Sequence, residues 1–211
     1  MVDFLEMIRI KEGQFKPLFF VMQNRTPLIQ IFLEKNAQLN LSAIRDEEGI
    51  FVKHIQDSLE INKILTFPKG VQIVDIGTGG GFPLLPLAMT NPQANFTGID
   101  SIKKKTVAVN EMIQSLGIPN AEVLRTRIEE CKGRSFDYVI ARAVAYVDKL
   151  IPRSYHLLKK GGYFILMKQV NPPEREKLLQ ITKEKNLILE KEHRYSLFDG
   201  DIERVIYMLK K

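Results

Sequence analysis

Residues 74–82 read Val74-Asp75-Ile76-Gly77-Thr78-Gly79-Gly80-Gly81-Phe82. The apolar run over 71–76 makes a short strand that carries Asp75. Gly77 to Gly81 form a loop, and residues 82–89 read as a helix with Pro83 in its first turn. A glycine-rich turn between a first strand and a first helix lets a ligand approach bare backbone. Two common versions of such a loop do not fit. The dinucleotide pattern G-x-G-x-x-G, begun at Gly77, needs glycine where Phe82 stands; begun at Gly79, it needs glycine where Leu84 stands. The P-loop needs a Gly-Lys-Ser/Thr ending that is absent. What remains is Asp-x-Gly-x-Gly-x-Gly, with Asp75, Gly77, Gly79 and Gly81 in its fixed positions.

Outward from this loop, strand and helix alternate. Residues 95–99 form a second strand ending in Asp100, and a helix over 103–116 stops at Gly117. Residues 121–124 and 136–140 read as the third and fourth strands, with a helix over 144–158 after them. Gly161-Gly162 turns the chain into a fifth strand, 163–168, and Pro172-Pro173 opens a helix running to about Lys185. Residues 187–195 and 201–209 follow as strands with no helix between them. The alternation predicts an α/β fold: a mostly parallel, doubly wound, Rossmann-like seven-stranded sheet whose last pair is an antiparallel edge hairpin.

Residues 1–66 lack any glycine-rich loop. Phe15, Leu18, Phe19 and Met22 recur at helical spacing, as do Ile29, Phe32 and Leu33. Ile50, Phe51, His54, Ile55 and Leu59 make a third stripe, with Asp46 and Glu48 supplying a helix start. Pro17 and Pro27 suit first-turn positions, so the stretch reads as several short helices. The expected organisation is a helical N-terminal extension, 1–66, followed by one α/β domain, 67–211. His54 reads as a packed histidine outside the catalytic set. His156, beside Lys159 and Lys160, reads as a capping residue.

At about 150 residues per domain, 211 residues suit one domain with an extension. The single cysteine, Cys131, excludes an internal disulfide and a multi-cysteine metal site, and no metal ligand set is expected. It lies in Glu-Glu-Cys-Lys-Gly, a polar turn, as a bystander thiol. No apolar run reaches the roughly 18 residues of a membrane span. The opening Met1-Val2-Asp3-Phe4-Leu5-Glu6 is acidic where a secretory leader is basic. A soluble, reducing, cytoplasmic setting is expected, and a monomer. The net charge of +6 is uneven: residues 103–168 carry 13 basic and 6 acidic groups. That is a modest footprint for a polyanion.

The Asp-x-Gly-x-Gly-x-Gly loop resembles the first motif of class I S-adenosylmethionine-dependent methyltransferases. Asp100, at the end of the second strand, matches the acid that binds ribose hydroxyls in such sheets. Asp75 is placed to orient the loop or the ligand's amino group, and the Gly161-Gly162 turn resembles the way that fold begins its fifth strand. Further motifs narrow the resemblance. Asn40-Leu41-Ser42-Ala43-Ile44-Arg45-Asp46, Val52-Lys53-His54-Ile55-Gln56-Asp57-Ser58-Leu59, residues 77–83, Arg127-Ile128-Glu129-Glu130 and Ala141-Arg142-Ala143 match, in order, those of the RsmG (GidB) family. The match runs over about residues 37–168. That family methylates guanine N7 in bacterial small-subunit (16S) ribosomal RNA. The resemblance therefore implies S-adenosylmethionine as cofactor, S-adenosylhomocysteine as product, and 16S ribosomal RNA or a small-subunit assembly particle as partner. It implies that Gly77 and Phe82 line the cofactor, that Ile128 and Glu129 flank its adenine, and that Arg142 touches it at the transfer site. Two positions depart from the family pattern: Leu84 stands where glycine is usual, and Lys168-Gln169 where Lys-Gly is usual.

The residues also bear on the chemistry directly. Carbon methylation of cytosine uses a cysteine in a Pro-Cys setting, which Cys131 lacks. Exocyclic-amine methylases commonly carry Pro-Pro-Tyr/Phe after the fourth strand, where this chain has Ala141-Arg142-Ala143-Val144. Guanine N7 is an acceptor with a free lone pair and no proton, so attack needs no general base and positioning supplies much of the catalysis. Lys103, Lys104, Lys105, Arg125, Arg127, Lys132, Arg134 and Lys168 are the candidate phosphate contacts. Three lysines at a helix start oppose its dipole, which favours a ligand role for them. Two other functions fit the same residues: a small-molecule methyltransferase with an incidental basic excess, and a nucleotide-sensing RNA-binding module without catalysis. Salt-sensitive RNA binding separates the first reading from the small-molecule one. Transfer of a labelled methyl group separates both from the module.

Overall fold

The computed structural model describes the backbone of residues 16–211 and the side chains from Pro27 onward, Asp199 excepted. Phe15 and the side chains of Leu18, Phe19 and Met22 therefore lie outside the described residues. The first helix, α1 (Lys16–Leu39), is continuous. Pro17 sits in its first turn as expected, but Pro27 lies in its interior, where a helix start was expected. An interior proline costs a helix roughly 3 kcal/mol. Leu28, Ile29 and Phe32, each at most 5% exposed, pack the following turn into the core and hold the two halves together.

Beyond α1 the expectation of short helices is met. The Asp46 carboxylate caps α2 (Glu47–Ile50) by accepting from the Gly49 amide at 2.7 Å. A π-helical turn, Phe51–Gln56, leads into α3 (Asp57–Leu59) and α4 (Ile61–Ile64). The sheet follows: β1 (Gln72–Ile76), α5 (Leu84–Thr90), β2 (Asn95–Asp100), α6 (Lys103–Ser115), β3 (Ala121–Arg125), β4 (Phe136–Arg142), α7 (Val147–Ser154), β5 (Leu158–Gln169), α8 (Pro172–Glu184), β6 (Ile188–Leu197) and β7 (Ile202–Lys210). The strand order is β3-β2-β1-β4-β5-β7-β6, parallel up to β5, with β7 antiparallel to both neighbours.

Boundaries depart furthest from expectation between β4 and β5. The helix after β4 starts only at Val147, because Ala143 takes a φ of 54° and turns the chain away first. β5 begins at Leu158, ahead of Gly161-Gly162, and regains register after an irregularity between Phe136 and Tyr138 on β4. Alternation along the strands divides the core. Ile73, Tyr138, Ile140, Ile165 and Met167 face the N-terminal helices with α5 and α6. Val74, Ile76, Val139, Phe164 and Leu166 face α7 and α8. Cys131 belongs to the second layer: its turn is polar in sequence, yet the thiol is buried, and burial pushes its pKa up. No helix among the described residues is long and apolar enough to cross a membrane.

Candidate active site

Strand order reverses at β1, between β2 and β4. Open α/β sheets bind ligands outside the carboxyl ends of their strands at such a point. The glycine loop leaves β1 there, and its Gly77 and Thr78 amides donate to the Ile99 carbonyl of β2 at 2.8 and 3.1 Å. Gly77 holds a φ of 65°, and a Cβ on it would stand 3.0 Å from Cγ2 of Val144. A Cβ on Gly80 would stand 2.8 Å from the Phe32 ring, so α1 closes on the loop from the other side. Gly79 is open, with only the Gly77 carbonyl within reach of an added Cβ. The Gly79 amide donates to Asp100 Oδ2 at 3.1 Å, and the Ile102 amide to Oδ1 at 2.9 Å. Each of those oxygens keeps a lone pair for a ligand hydroxyl.

Asp75 lies beneath the loop, 2% exposed, and neither carboxylate oxygen makes a hydrogen bond of good geometry. Burial pushes its pKa up to about 7, against the opposing pull of the Thr78 hydroxyl, the Arg142 charge and the Leu84 amide. A buried, unpartnered carboxyl group under an open glycine is a place for a ligand's donor or cation.

Arg142 ends β4 and is the most heavily used donor in the site. Its Nη1 donates to the Lys53 carbonyl at 2.8 Å and to Asp57 Oδ2 at 3.0 Å, and its Nη2 donates to His54 Nδ1 at 3.1 Å. Arginine can only donate, so Nδ1 is bare and Nε2 carries the imidazole proton, which it donates to Ser42 Oγ at 2.9 Å. The 3.2 Å approach of Nδ1 to the Lys53 carbonyl is then a contact between two acceptors of the same guanidinium. Burial and the Arg142 charge lower the His54 pKa to about 4. The imidazole stacks on Phe82 at 4.8 Å between centroids, and Phe32 meets both rings edge-on.

Asp57, also 2% exposed, anchors the arrangement. It accepts from Arg142, from Arg204 Nε and Nη2 at 3.2 and 3.1 Å, and from the Tyr195 hydroxyl at 2.6 Å. Three strands and the π-helical turn thus converge on one carboxylate. Sequence reasoning missed Ser42, Asp57, Tyr195 and Arg204 as site residues. Asp57 stood inside a quoted motif, but its partners lie 85 to 147 residues away in sequence.

The other expected residues are dispersed. Gly77, Gly79, Phe82, Lys105 and Arg142 share one cleft of about 230 Å³, and His54, expected outside the site, lines it with them. Ile128 is half-buried against the α7–α8 layer, and Glu129 is exposed, 3.6 Å from Arg153. Lys103 and Lys104 line a separate groove between α1 and α6 with Lys35, and the Lys104 ammonium donates to the Leu39 carbonyl at 3.1 Å. Arg125 and Arg127 flank the end of β3, and Arg134 pairs with Glu122 at 3.1 Å on the surface. Lys168 needs correction as a phosphate contact. It is 8% exposed, pairs with Glu174 at 2.9 Å and donates to the Ala145 carbonyl, so its charge is spent inside the fold. His156 is exposed and shows no capping bond.

The family profile described as "GidB: rRNA small subunit methyltransferase G" matches residues 22–201. The chain is 43% identical over 136 residues to "Ribosomal RNA small subunit methyltransferase G" of Pelodictyon phaeoclathratiforme, covering 64% of this chain and 60% of that relative. It is 32% identical over 166 residues to the protein of the same name from Glaesserella parasuis, covering 79% of each. The match with the first of these relatives thus spans less than two thirds of its length. Among solved structures, a SAM-dependent methyltransferase from Aquifex aeolicus superposes with a TM-score of 0.60 at 17% identity, covering 77% of this chain and 93% of that one. P. horikoshii TYW2 in complex with MeSAdo superposes at 0.58 and 19%, covering 74% and 61%. These structures share the fold, while the profile spans the helical layer, the glycine loop and Arg142 in one continuous match; the chain belongs to the rRNA small subunit methyltransferase G family.

Proposed function

We propose that this chain transfers a methyl group from S-adenosylmethionine to N7 of a guanine in 16S ribosomal RNA, free or in a small-subunit particle. The observation that carries the reading is Arg142: a guanidinium fixed on one edge by Lys53, His54 and Asp57, at the switch point, beside the glycine loop. The residues present fit the cofactor. Asp75 offers an unpartnered buried carboxyl, Gly79 an open stretch of backbone, and Asp100 two oxygens with lone pairs to spare. Asp75, Gly77, Gly79, Gly81, Phe82 and Asp100 would hold it, with Ile128 and Glu129 toward its adenine. When bound, the cofactor supplies a methyl group on a sulfonium, open to attack by a lone pair.

The chain's own task is to hold the guanine. Among the described residues, Arg142 Nε–H and one Nη2–H have no partner, which leaves two donors for guanine O6 or a nearby phosphate. Arg142 must leave N7 untouched, because N7 needs its lone pair. No proton departs in the transfer, so no neighbour has to take one. His54 is uncharged well below neutral pH, with its bare nitrogen already committed to Arg142. Asp57 offsets the guanidinium charge as the base becomes cationic.

Single-turnover transfer of a labelled methyl group to 16S RNA tests this. Arg142→Ala should slow transfer by about 1–3 kcal/mol of barrier, Arg142→Lys should recover little, and between pH 6 and 8 the rate should show no step that His54→Ala removes. Full activity in Arg142→Ala, or a rate that tracks a histidine-like pKa abolished by His54→Ala, would refute it.

A further inference from the structure

Residues 143–146 follow Arg142, lead from the cleft, which Ala143 lines, and end at the start of α7. Ala143 turns the chain, and Val144 packs on Gly77. The segment is then clamped from beneath. The Lys168 ammonium donates to the Ala145 carbonyl, the Val147 amide donates to Glu174 Oε1 at 3.2 Å, and Lys168 and Glu174 form a buried pair. Between these two anchors stands Tyr146, 58% exposed, the one exposed Phe or Tyr side chain among the described residues. Its hydroxyl makes no hydrogen bond among the described residues. The Lys177 ammonium lies over its ring, 5.6 Å from the centroid, in a long ion pair with Asp148 at 3.7 Å.

A flat ring held out into water on an immobilised backbone contributes little to the fold. It loses little conformational freedom when something stacks on it. The neighbouring ammonium suits an anionic ligand that also carries aromatic rings. We propose that Tyr146 is a stacking platform for an unpaired nucleobase of the RNA, next to the guanine at Arg142, with Lys177 receiving the phosphate beside that base. This rests on the reading of the chain as an RNA methyltransferase.

The protein contains no tryptophan, so Tyr146→Trp places a single indole on the platform. Titration with a short single-stranded RNA should quench its emission saturably, and a duplex of the same sequence should quench it less. Tyr146→Ala should weaken RNA binding about tenfold, with the loss in KM for RNA rather than in kcat, and Tyr146→Phe should restore most of it. Cofactor affinity, measured by calorimetry without RNA, should be the same in all three variants. Unchanged RNA affinity in Tyr146→Ala, or an indole untouched by RNA, overturns the proposal. Quenching by ribosomal proteins without RNA overturns it as well, since the platform would then receive protein. The wild-type chain is assayed alongside: if it binds and methylates no RNA, the underlying reading has failed; if it does both while Tyr146 is indifferent, only the platform has.

Discussion

Asp75 and His54 both feel the Arg142 cation, which lowers both pKa values, yet burial sends them in opposite directions because it penalises whichever form is charged. Unfolded, Asp75 loses its proton near 3.8; folded, it keeps it to about 7. Its contribution to stability is complete below about pH 4 and is lost as pH rises toward 7. His54 gains a proton near 6.5 when unfolded and near 4 when folded, so its contribution is complete above 6.5 and lost as pH falls toward 4. Between about pH 4 and 6.5 the two oppose each other. Asp75→Asn should therefore expose a stability that climbs with pH in that window, and His54→Gln one that falls, both read from urea midpoints. Parallel curves for Asp75→Asn and wild type would show that Asp75 is charged in the fold. The sequence made Asp75 legible, because a carboxyl before a glycine loop has few purely structural uses. It hid Asp57, because nothing local distinguishes an acid that will be solvated from one that will receive two arginines and a tyrosine.

The elements themselves were readable where one period dominated. Strands of the parallel sheet came within a residue or two of their ends in most cases, since buried β-branched runs end at polar residues that cannot continue inward. Local rules gave way where tertiary packing outweighed them: α1 runs through Pro27, and 144–146 stay non-helical under the pull of Lys168 and Glu174. The π-helical turn is a third case. It carries Lys53 and His54 and delivers Asp57 at its end, so that one turn presents a carbonyl, an imidazole and a carboxylate to the same guanidinium. No pattern of apolar spacing announces that. The contact should be strong by virtue of burial. Asp57→Asn leaves two arginines underpaired and should destabilise the chain by about 3–5 kcal/mol, whereas Glu122→Gln, which breaks the exposed pair with Arg134, should cost less than about 1. Equal shifts in urea midpoint for the two variants would show that Asp57 is not the anchor of the helical layer.

At the scale of the whole molecule the question is which positive charges face the polyanion. Composition alone put seven excess charges in 103–168, but the fold sorts them. Lys105 lines the cleft with Arg142, while Lys103 and Lys104 line the groove between α1 and α6. Lys168 is enclosed with Glu174 and can neutralise no phosphate. Each phosphate neutralised contributes about −0.7 to −0.9 to the slope of log affinity against log salt. Changing Lys103, Lys104 and Lys105 together to Ala should flatten that slope by about 2 or more, since three ammonium groups at the start of α6 are removed at once. Lys168→Met should leave the slope untouched and act on stability instead: it strands Glu174 in the interior, and removing one partner of a buried pair costs on the order of 3–5 kcal/mol. The test is therefore a double readout on two variants, with RNA affinity measured from low to high salt and urea midpoints measured on the same preparations. A slope that falls with Lys168→Met, or one that ignores the triple substitution, would mean that the basic segment meets RNA through a different face from the one beside Arg142.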